Sequence, residues 1–366
     1  MLSIPVRLAC RAFAYLLRAR AVPAGLLIAA LITSAFGYRH DVAASRTHQG
    51  RAATAAAALQ ARYGAGTYQG AQFWQSANAL QATIDYMRAT GSRAYLADLD
   101  ATYRAHHGSD RFLDYYYDDE GWWALTWISA YRLTRQTRYL EQARDIFADM
   151  TGGWDDTCRG GIWWSKARRY KNAIANELFL AVAARLGTLT SDSRYTAWAQ
   201  REWAWFRSSG MLTPGHLVVD GLAACKPILT SPTWTYNQGM LISALTALSS
   251  QDPAALRIAS SVADAVIGSR TLSPDGILRE PCEAARSCAP DQRIFKGIFV
   301  RGLQHLYDRV RDPRYSAYLR ANASSLWDND RRGSEFGPHW AGPFGTADTA
   351  ELVAALSLLN TQAGGA

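Results

Sequence analysis

Segments with apolar residues at spacings of three and four follow one another along the chain beyond residue 50. This period indicates helices, whereas the alternation typical of half-buried strands is rare. Twelve such segments can be counted, with approximate spans 51–64, 74–90, 93–107, 121–133, 136–150, 172–186, 193–208, 236–249, 253–268, 295–310, 313–326 and 347–361. A chain built this way must bury its apolar faces helix against helix, so the sequence predicts an all-α fold.

The twelve segments alternate between two types. Helices of one type mix charged and apolar residues, as expected of outer helices that face solvent. Helices of the other type are rich in Ala, Leu, Ile and Gly and are apolar on most sides, as expected of buried helices. The buried type begins near residues 74, 121, 172, 236, 295 and 347. Six hairpins of alternating buried and exposed helices predict an (α/α)6 barrel, for which 366 residues supply a sufficient core.

The predicted inner helices begin with polar and aromatic residues that give way to apolar ones. Examples are the segments Phe73–Asn78, Asp118–Trp123 and Trp234–Gly239. If the inner helices run in one direction, these ends converge on one mouth of the barrel. Helix N-termini carry free N–H groups and the positive end of the helix dipole, which suit ionised carboxylates and polyhydroxylated ligands.

The first 45 residues differ from the rest of the chain. Four arginines precede an uncharged stretch, Ala21–Gly37, which contains the apolar run Leu26–Ile32. This is the form of an export signal, although the stretch is also about as short as a membrane anchor can be. We expect residues 1–45 to be a signal peptide or signal anchor and residues 46–366 to form a single (α/α)6 domain. The protein would then be exported, whether secreted, periplasmic or at the cell surface.

The charge of the chain is concentrated in its N-terminal segment. The formal net charge is +8, but five arginines and one aspartate lie in residues 1–45, which leaves 34 basic and 30 acidic residues beyond them. No cluster of Lys and Arg with interleaved aromatic residues stands out, so we expect no nucleic-acid partner. We expect a monomer that contacts a membrane only through the N-terminal segment, if that segment is not cleaved.

Four cysteines remain beyond Cys10, which lies in the export segment. An even number in an exported chain suggests two disulfides, although four cysteines allow three connectivities. The short spacing of Cys282 and Cys288 favours a local bridge, which would leave Cys158 to pair with Cys225. A zinc site is the less favoured alternative because neither CxxC nor HExxH spacing is present, and we expect no metal.

Two adjacent carboxylates among aromatic residues, Asp118 and Asp119, are the strongest chemical feature. Tyr115–Tyr117 precede them, and Trp122 and Trp123 follow. Folding alone gives no reason for such a pair. Glycoside cleavage does need one carboxyl group to protonate the leaving oxygen and a second to attack or to activate water, beside flat surfaces that hold sugar rings.

The adjacency of the two aspartates constrains their geometry. Adjacent side chains diverge within a regular helix, so both reach one pocket most easily where a loop enters a helix. One of them could instead merely cap a helix that begins at Gly121. Neighbouring Cα atoms are about 3.8 Å apart, which favours a short carboxyl separation and therefore a retaining mechanism with a covalent intermediate. Like charges this close also leave one group protonated and the other ionised.

A second pair, Asp155 and Asp156, competes with the first. It lies in a Gly-rich loop beside Cys158, where turn formation accounts for aspartate. We therefore expect this pair to belong to the rim of the mouth rather than to the catalytic centre.

Several separate segments resemble glycoside hydrolase family 76, the endo-α-1,6-mannanase family. Together they cover most of residues 70–350 in order: Asp118–Trp123, Trp154–Trp164, Lys171–Phe179, Thr235–Gly239 and Phe295–Phe299. One departure is Arg159, where the family pattern leads us to expect another glycine. The resemblance implies an (α/α)6 barrel, hydrolysis of α-1,6-linked mannose with retention, and no cofactor. It also implies that Asp118 is the nucleophile and Asp119 the general acid/base.

Candidate substrate-binding residues follow from residue type and from their position at the predicted mouth. Aromatic rings can stack on sugars, amides can bind hydroxyls, and an ammonium near the carboxylates could steady the charge of the nucleophile. Core packing, structural hydrogen bonding and surface ion pairing are the respective alternatives. The candidates are Asn78, Tyr117, Trp122, Trp163, Trp164, Lys171, Asn172, Asn176, Trp234, Tyr236, Asn237, Gln238, Phe295 and Lys296.

The expected ligand is α-mannan or a mannose-containing oligosaccharide. One alternative keeps the fold and the intermediate but replaces water by a sugar acceptor, which makes the protein a transglycosylase of cell-wall glycans. A second is a mannan-binding protein without turnover. A third is another (α/α)6 enzyme such as a sugar epimerase, but that chemistry normally uses histidine, and the predicted mouth motifs contain none.

Overall fold

The computed structural model describes residues 47–364, and the predicted export segment lies outside them. The long helices, numbered in chain order, are α1 (47–60), α2 (Phe73–Thr90), α3 (Leu96–His107), α4 (Tyr117–Thr134), α5 (Thr137–Thr151), α6 (Ala173–Thr190), α7 (Ser193–Ser209), α8 (Thr235–Leu248), α9 (Ala255–Ile267), α11 (Phe295–Val310), α12 (Pro313–Asn329) and α13 (Thr349–Ala363). A four-residue helix, α10 (Pro281–Ala284), lies between α9 and α11. The twelve predicted helical segments are all present.

Six of these helices form a closed inner ring. Each packs against two others in the order α2, α4, α6, α8, α11 and α13, and α13 returns to α2. The remaining long helices pack outside this ring, for example α5 on α4 and α7 on α6. This arrangement is the predicted (α/α)6 barrel, and the inner helices are its most buried elements because their apolar residues cover most of the helix surface.

The outer helices are amphipathic. In α9 the buried residues recur at spacings of three and four: Ala255, Ala259, Val262, Ala263 and Val266. Inner helices have no comparable polar face, and α6 is buried along nearly its whole length. Within the described residues, α6 is also the helix long and apolar enough to cross a membrane, but most of it is enclosed by the ring, as expected of a core helix.

Two inner helices approach each other closely at a pair of glycines. Gly239 of α8 and Gly302 of α11 lie where the two helix backbones approach each other. A Cβ atom on Gly302 would collide with the backbone of Gly239, so no larger residue could occupy this position without moving the helices apart.

Short antiparallel strands lie in the connections between helices. β1 (Tyr63–Gly64) pairs with β2 (Thr67–Tyr68), and β6 (Arg331–Arg332) pairs with β7 (Glu335–Phe336). β3 (Lys171–Asn172), β4 (Gly221–Ala223) and β5 (Lys226–Pro227) form a three-stranded sheet, with Asn172 opposite Gly221. This sheet joins the start of α6 to the long connection between α7 and α8.

Side-chain amides of the inner helices hold the long connections in place. Asn176 on α6 accepts a hydrogen bond from the backbone N–H of Ile162 at 2.7 Å and donates to its carbonyl at 3.0 Å. Gln238 on α8 forms the same pair of bonds with Val218, at 2.8 and 2.9 Å. Buried backbone groups in irregular segments need such partners, and these amides supply them.

Two disulfides, Cys158–Cys225 and Cys282–Cys288, confirm the favoured pairing. The first joins two connections that are 67 residues apart in sequence, and the second closes a loop of six. The first bridge lies beside a tight segment of the rim, where the backbone of Arg159 adopts φ +65°. That left-handed conformation favours glycine, which accounts for the expectation of a glycine at this position.

The start of α4 differs from the prediction. The helix begins at Tyr117 rather than at Gly121, with Tyr116 as its N-cap residue. Asp118 and Asp119 therefore lie inside the first turn, and the alternative in which one of them caps a helix from Gly121 is wrong. Acidic residues are favoured in a first turn because they face the positive end of the helix dipole.

Candidate active site

The N-terminal ends of several inner helices meet through aromatic rings. Trp74 of α2 lies 6.0 Å from Trp122 of α4 and 6.4 Å from Phe295 of α11, measured between ring centroids. Phe295 in turn stacks on Tyr236 of α8, with centroids 3.9 Å apart and rings nearly parallel. Trp234 packs edge-on against Phe295 at 5.8 Å. The structure thus brings together four predicted aromatic residues and Trp74, which was not among the candidates.

The first turn of α4 is anchored to the connection between α5 and α6. The backbone N–H of Tyr117 donates to the carbonyl of Trp164 at 2.9 Å, and Tyr116 forms an isolated bridge with Ser165. The ring of Trp164 packs on Tyr116 at 4.7 Å. These contacts fix the turn that carries Asp118 and Asp119 against the rim.

Asp118 is held by one directed hydrogen bond. The indole Nε1–H of Trp164 donates to Oδ2 of Asp118 at 3.0 Å. The other oxygen, Oδ1, is buried and has no hydrogen-bond partner among the described residues. A carboxylate that is oriented by one donor and has a second oxygen free is arranged as a nucleophile needs to be.

The two aspartates have different electrostatic surroundings. Burial raises the pKa of Asp118, while the hydrogen bond from Trp164 and backbone N–H groups of the helix start oppose that rise. Burial also raises the pKa of Asp119, and there the negative charge of Asp118 raises it further. The pKa of both groups is thus raised, and the indole bond to Asp118 favours Asp118 as the member that ionises first.

Two further carboxylates lie close enough to influence the pair. The charges of Asp114 and Asp291 both raise the pKa of Asp119. Asp291 accepts hydrogen bonds from Trp74 Nε1 at 3.2 Å and from Gln75 Nε2 at 3.3 Å, which place its carboxyl group beside the aromatic cluster. Neither residue was among the candidates. Asp291 follows the Cys282–Cys288 loop, and no local motif marks it as part of the mouth.

A buried glutamate in the same helix turn forms an ion pair with a lysine and a hydrogen bond with the segment before the helix. Glu120 is fully buried, accepts from the backbone N–H of Asp114 at 3.0 Å and pairs with Lys166 Nζ at 2.9 Å. Lys166 also pairs with Asp149 at 2.9 Å. Burial raises the pKa of Glu120 to about 8 although Lys166 opposes that rise. No sequence motif separates Glu120 from the two acidic residues before it.

The second aspartate pair is part of a loop-holding network. Lys171 Nζ lies 2.8 Å from Asp155 Oδ1 and within 3.3 Å of four carbonyl oxygens, those of Asp155, Thr157, Gly160 and Gly161. Burial would raise the pKa of Asp155, but hydrogen bonds from Lys171, Trp163 and Thr157 outweigh it and lower the pKa to about 2. The carboxylate of Asp155 therefore forms its hydrogen bonds within the rim, as its position in a Gly-rich loop predicts.

Both candidate lysines contact the rim rather than the aspartate pair. Lys171 is buried, and its ammonium group is surrounded by the oxygens of the 155–161 loop. Lys296 is likewise buried, pairs with Glu283 at 2.7 Å and donates to the carbonyl of Pro338 at 2.5 Å. The structure therefore assigns both to loop support. A compact ammonium serves this purpose because it can satisfy several carbonyls at once.

Four of the candidate amides also have structural partners. Asn176 and Gln238 hold the backbone of Ile162 and Val218, and Asn172 caps α6 by accepting from the N–H of Ala175. Asn78 is buried and accepts from Arg301 at 2.5 Å. Their hydrogen-bonding groups are largely committed within the protein, so a direct contact with sugar is not the role that the geometry favours for them.

Asn237 belongs to a different group of residues near Tyr236. Its Nδ2 donates to Oδ1 of Asp220 at 3.3 Å, while its Oδ1 is buried without a partner among the described residues. Tyr170 donates to the other oxygen of Asp220 at 2.8 Å. Burial and then the charges of Asp220 and Asp118 raise the pKa of Tyr236. Asp220, which no sequence motif singled out, therefore adds a carboxylate on the α8 side of the mouth.

The remaining candidates are aromatic and differ in their surroundings. Trp164 is bonded to Asp118, whereas Trp163 donates to Asp155 at 2.6 Å and has Lys171 over its ring. Tyr117 is buried with its ring against Gly153. Of these three, Trp164 is the one that the structure places at the aspartate pair. The other two belong to the rim.

The resulting arrangement has the parts that glycoside cleavage requires. It combines an ionisable carboxylate held by an indole, an adjacent carboxyl group with a raised pKa, and a cluster of aromatic rings at the same helix ends. Among residues 47–364, no group of three or more His, Cys, Asp and Glu has the geometry of a metal site.

Comparison with known proteins agrees with this arrangement. The sequence pattern of glycosyl hydrolase family 76 matches residues 48–364. The mannan endo-1,6-alpha-mannosidase DCW1 of Saccharomyces cerevisiae is 27% identical over 281 residues, which are 69% of this chain and 62% of the yeast protein. The chain spans about three fifths of the length of such relatives.

Solved structures share the fold. The alpha-1,6-mannanase GH76A of Salegentibacter sp. superposes with a TM-score of 0.79 at 22% identity, covering 86% of this chain and 99% of that protein; it was solved as an inactive variant with two consecutive aspartates replaced by asparagine, bound to alpha-1,6-mannotriose. Dfg5 of Chaetomium thermophilum, bound to glucosamine, superposes with a TM-score of 0.78 at 20% identity, covering 86% and 90%. With its fold and its sequence pattern in agreement, the chain is a member of glycosyl hydrolase family 76.

Proposed function

We propose that this protein is a retaining glycoside hydrolase that cleaves α-1,6-mannosidic linkages in microbial mannan. The observation that carries the proposal is the unequal aspartate pair: Asp118 is oriented by Trp164, and the pKa of the adjacent Asp119 is raised by burial and by the charge of Asp118. One ionised and one protonated carboxyl group at a single site are what a two-step glycosidase needs.

The two aspartates have different roles in each of the two chemical steps. The Asp118 carboxylate attacks the anomeric carbon while Asp119 transfers its proton to the departing glycosidic oxygen, which gives a covalent mannosyl ester. A water molecule then attacks the same carbon, Asp119 takes its proton, and the ester bond to Asp118 breaks. Two inversions at the anomeric carbon leave the α configuration unchanged.

The choice of substrate rests on the relatives and on the aromatic mouth. The yeast relative is named for endo-1,6-alpha-mannosidase activity, and the Salegentibacter enzyme binds alpha-1,6-mannotriose. In this chain Trp74, Trp234, Tyr236 and Phe295 provide flat surfaces around the pair. Such rings suit the apolar faces of mannose units, so we place the sugar ring that reacts between this cluster and Asp118.

We further propose an exported protein with one catalytic domain over residues 46–366. The disulfides Cys158–Cys225 and Cys282–Cys288 support an oxidising compartment, and the relatives named DCW1 are mannan-directed enzymes. Residues 1–45 would act as the signal peptide or signal anchor.

The test is incubation of the purified protein with unbranched α-1,6-mannan while product anomers are followed by proton NMR. We expect α anomers to form first and to equilibrate afterwards. Initial β anomers would contradict the assignment of Asp118 as nucleophile.

The same reaction distinguishes hydrolysis from the other functions considered. Adding an excess of a reduced mannose oligosaccharide as acceptor measures transglycosylation, since transfer lengthens the acceptor without releasing new reducing ends. If the protein binds mannan but releases no new reducing ends and forms no transfer products, and if Asp118→Asn binds mannan equally well, the protein is a binding protein and not an enzyme.

A further inference from the structure

A group of arginines lies toward the end of the barrel opposite the mouth. Arg88 and Arg132 occupy the last turns of α2 and α4, the same helices that carry Trp74 and Asp118 at their other ends. Arg185 lies in the C-terminal half of α6, and Arg301 is in the middle of α11. None of these residues belongs to the catalytic arrangement described above.

Two of the arginines line a small cavity inside the ring. The cavity has a volume of about 20 Å³. Its polar lining comes from five inner helices: Asn78 and Gln81 on α2, Thr126 on α4, Arg185 on α6, Ser243 on α8, and Arg301 and His305 on α11. This volume is enough for about one water molecule or one monatomic ion.

The polar contacts around the cavity are made by neutral partners. Arg185 donates to Ser243 Oγ at 2.7 Å, and the same hydroxyl lies 3.0 Å from His305 Nδ1. Arg301 donates to Asn78 Oδ1 at 2.5 Å. Side chains of four inner helices thus converge on the cavity, and these hydrogen bonds of the two guanidinium groups are made with neutral partners.

The charge around the cavity is unbalanced. Within residues 47–364 no carboxylate lies within ion-pair distance of Arg132, Arg185 or Arg301. The nearby Asp85 is within 3.8 Å of Arg88 and accepts from Gln81 at 3.0 Å. Burial and the charges of neighbouring arginines lower the pKa of Arg185 to about 9, although the charge of Asp85 opposes this at Arg185 and also at Arg301. The single carboxylate of Asp85 thus faces Arg88, Arg185 and Arg301 together, and a further negative group would lower the cost of burying their charge.

The helix ends do not supply that negative charge at the cavity. The C-terminal end of a helix dipole stabilises cations, but the effect falls off within the last turn. Arg88 and Arg132 benefit from it because they lie in last turns. Arg185 and Arg301 are more than one turn away from the ends of α6 and α11.

We propose that this cavity is a binding site for a small monovalent anion of the halide class, held between Arg185 and Arg301. The volume selects against oxyanions of the size of phosphate or sulfate. The proposed ligands Arg185 and Arg301 are distinct from the aspartate pair, although Trp122 of the aromatic cluster also lines the cavity.

The first test measures thermal unfolding of the wild-type protein against sodium chloride and sodium bromide, with sodium gluconate keeping the ionic strength constant. We expect a saturable rise of about 2–4 °C in Tm with either halide, as for a ligand that binds the folded state alone. Phosphate should give no such rise. A Tm that depends on ionic strength but not on the identity of the anion would overturn the proposal.

The second test locates the anion. Crystals grown in sodium bromide should show an anomalous peak within hydrogen-bond distance of Arg185 and Arg301. The variant Arg301→Gln should lose the halide-dependent rise in Tm, whereas Arg270→Gln, which changes an exposed arginine, should keep it. A bromide peak without a saturable effect on Tm would mean binding at crystal concentration only, and it would overturn the proposal, as would the absence of a peak.

Discussion

Trp164 and Asp118 are joined by a hydrogen bond of 3.0 Å between the indole Nε1 and carboxylate Oδ2, across 46 residues of sequence. Trp164 lies on the connection between α5 and α6, and Asp118 lies in the first turn of α4. The bond stabilises the charged form of Asp118 and fixes the direction of the free oxygen Oδ1. It therefore links the shape of the rim to the chemistry of the catalytic pair.

Replacing Trp164 by phenylalanine should weaken catalysis and shift its pH dependence. Because the indole lowers the pKa of Asp118, its loss raises that pKa, and the acidic limb of the kcat/KM profile should move to higher pH. A hydrogen bond to a charged group is worth about 1.5–3 kcal/mol, so we expect kcat/KM to fall by about 10- to 100-fold. The control is Trp163→Phe, whose indole bonds Asp155 instead. Equal shifts in both variants would contradict the specific role of Trp164.

The two aspartates should respond differently to substitution by asparagine. Asp119→Asn removes the general acid/base, so we expect a loss of about 10²–10⁴-fold in kcat on mannan. An aryl α-mannoside with a good leaving group should restore the first step, and added azide should yield the α-mannosyl azide.

Asp118→Asn should instead remain inactive on the aryl mannoside, because no covalent intermediate can form. Asp156→Asn, in the exposed part of the rival pair, should retain wild-type activity. Recovery of the α-azide by Asp118→Asn would mean that the roles are reversed.

Buried glutamates should make the protein more stable in mildly acidic solution than in alkaline solution. Burial raises the pKa of Glu280 to about 8, against an ordinary value of 4.5. Between these values the folded state binds more protons than the unfolded state, so stability falls as pH rises from about 5 to 8. Glu280→Gln should reduce the dependence of Tm on pH in this range, and the exposed Glu141→Gln should not. A Tm curve that is unchanged by Glu280→Gln would exclude a raised pKa at this position.

Removal of the Cys158–Cys225 bridge should destabilise the protein more than removal of the Cys282–Cys288 bridge. The first bridge joins residues 67 apart in sequence and the second joins residues 6 apart, so the unfolded chain gains more freedom in the first case. For the Cys158→Ser/Cys225→Ser variant we expect a loss of about 3–4 kcal/mol in unfolding free energy. Denaturant titration of both double variants measures the difference, and equal losses would show that loop length does not set it.

Lys171→Met should loosen the rim without acting on the catalytic pair. Its ammonium group holds Asp155 and four carbonyls of the 155–161 loop, so its loss leaves several buried oxygens unsatisfied. We expect a destabilisation of at least about 2 kcal/mol and faster proteolysis within this loop. The exposed Lys226→Met is the matched control. A pH profile displaced by Lys171→Met to the same extent as by Trp164→Phe would place Lys171 at the pair after all.

The sequence was most informative where function needs an unusual local pattern. Adjacent aspartates among aromatic residues predict a catalytic pair because packing gives no reason for them, and the structure places both in one helix turn beside Trp164. The sequence pattern did not predict correctly where α4 begins. Helix boundaries depend on backbone partners such as the carbonyl of Trp164, which is remote in sequence.

Residue type alone could not decide the roles of the lysines and amides. Lys171 and Lys296 were expected near the carboxylates, but both ammonium groups bind rim carbonyls. Asn176 and Gln238 likewise hold backbone groups of the long connections. A lysine or amide at a helix start satisfies whichever oxygens the fold brings to it. Asp291 and Asp220 were missed for the same reason, since their neighbours come from other helices.

The sequence by itself determined the six helical hairpins, the aspartate pair and the family, because helical periodicity and consecutive motifs are local properties of the chain. Only the tertiary structure decided which polar groups reach the pair and which hold the rim. It also revealed the arginines around the central cavity, which come from separate inner helices. Their grouping appears only in the closed ring, where Arg185 and Arg301 line one cavity and form hydrogen bonds with neutral partners.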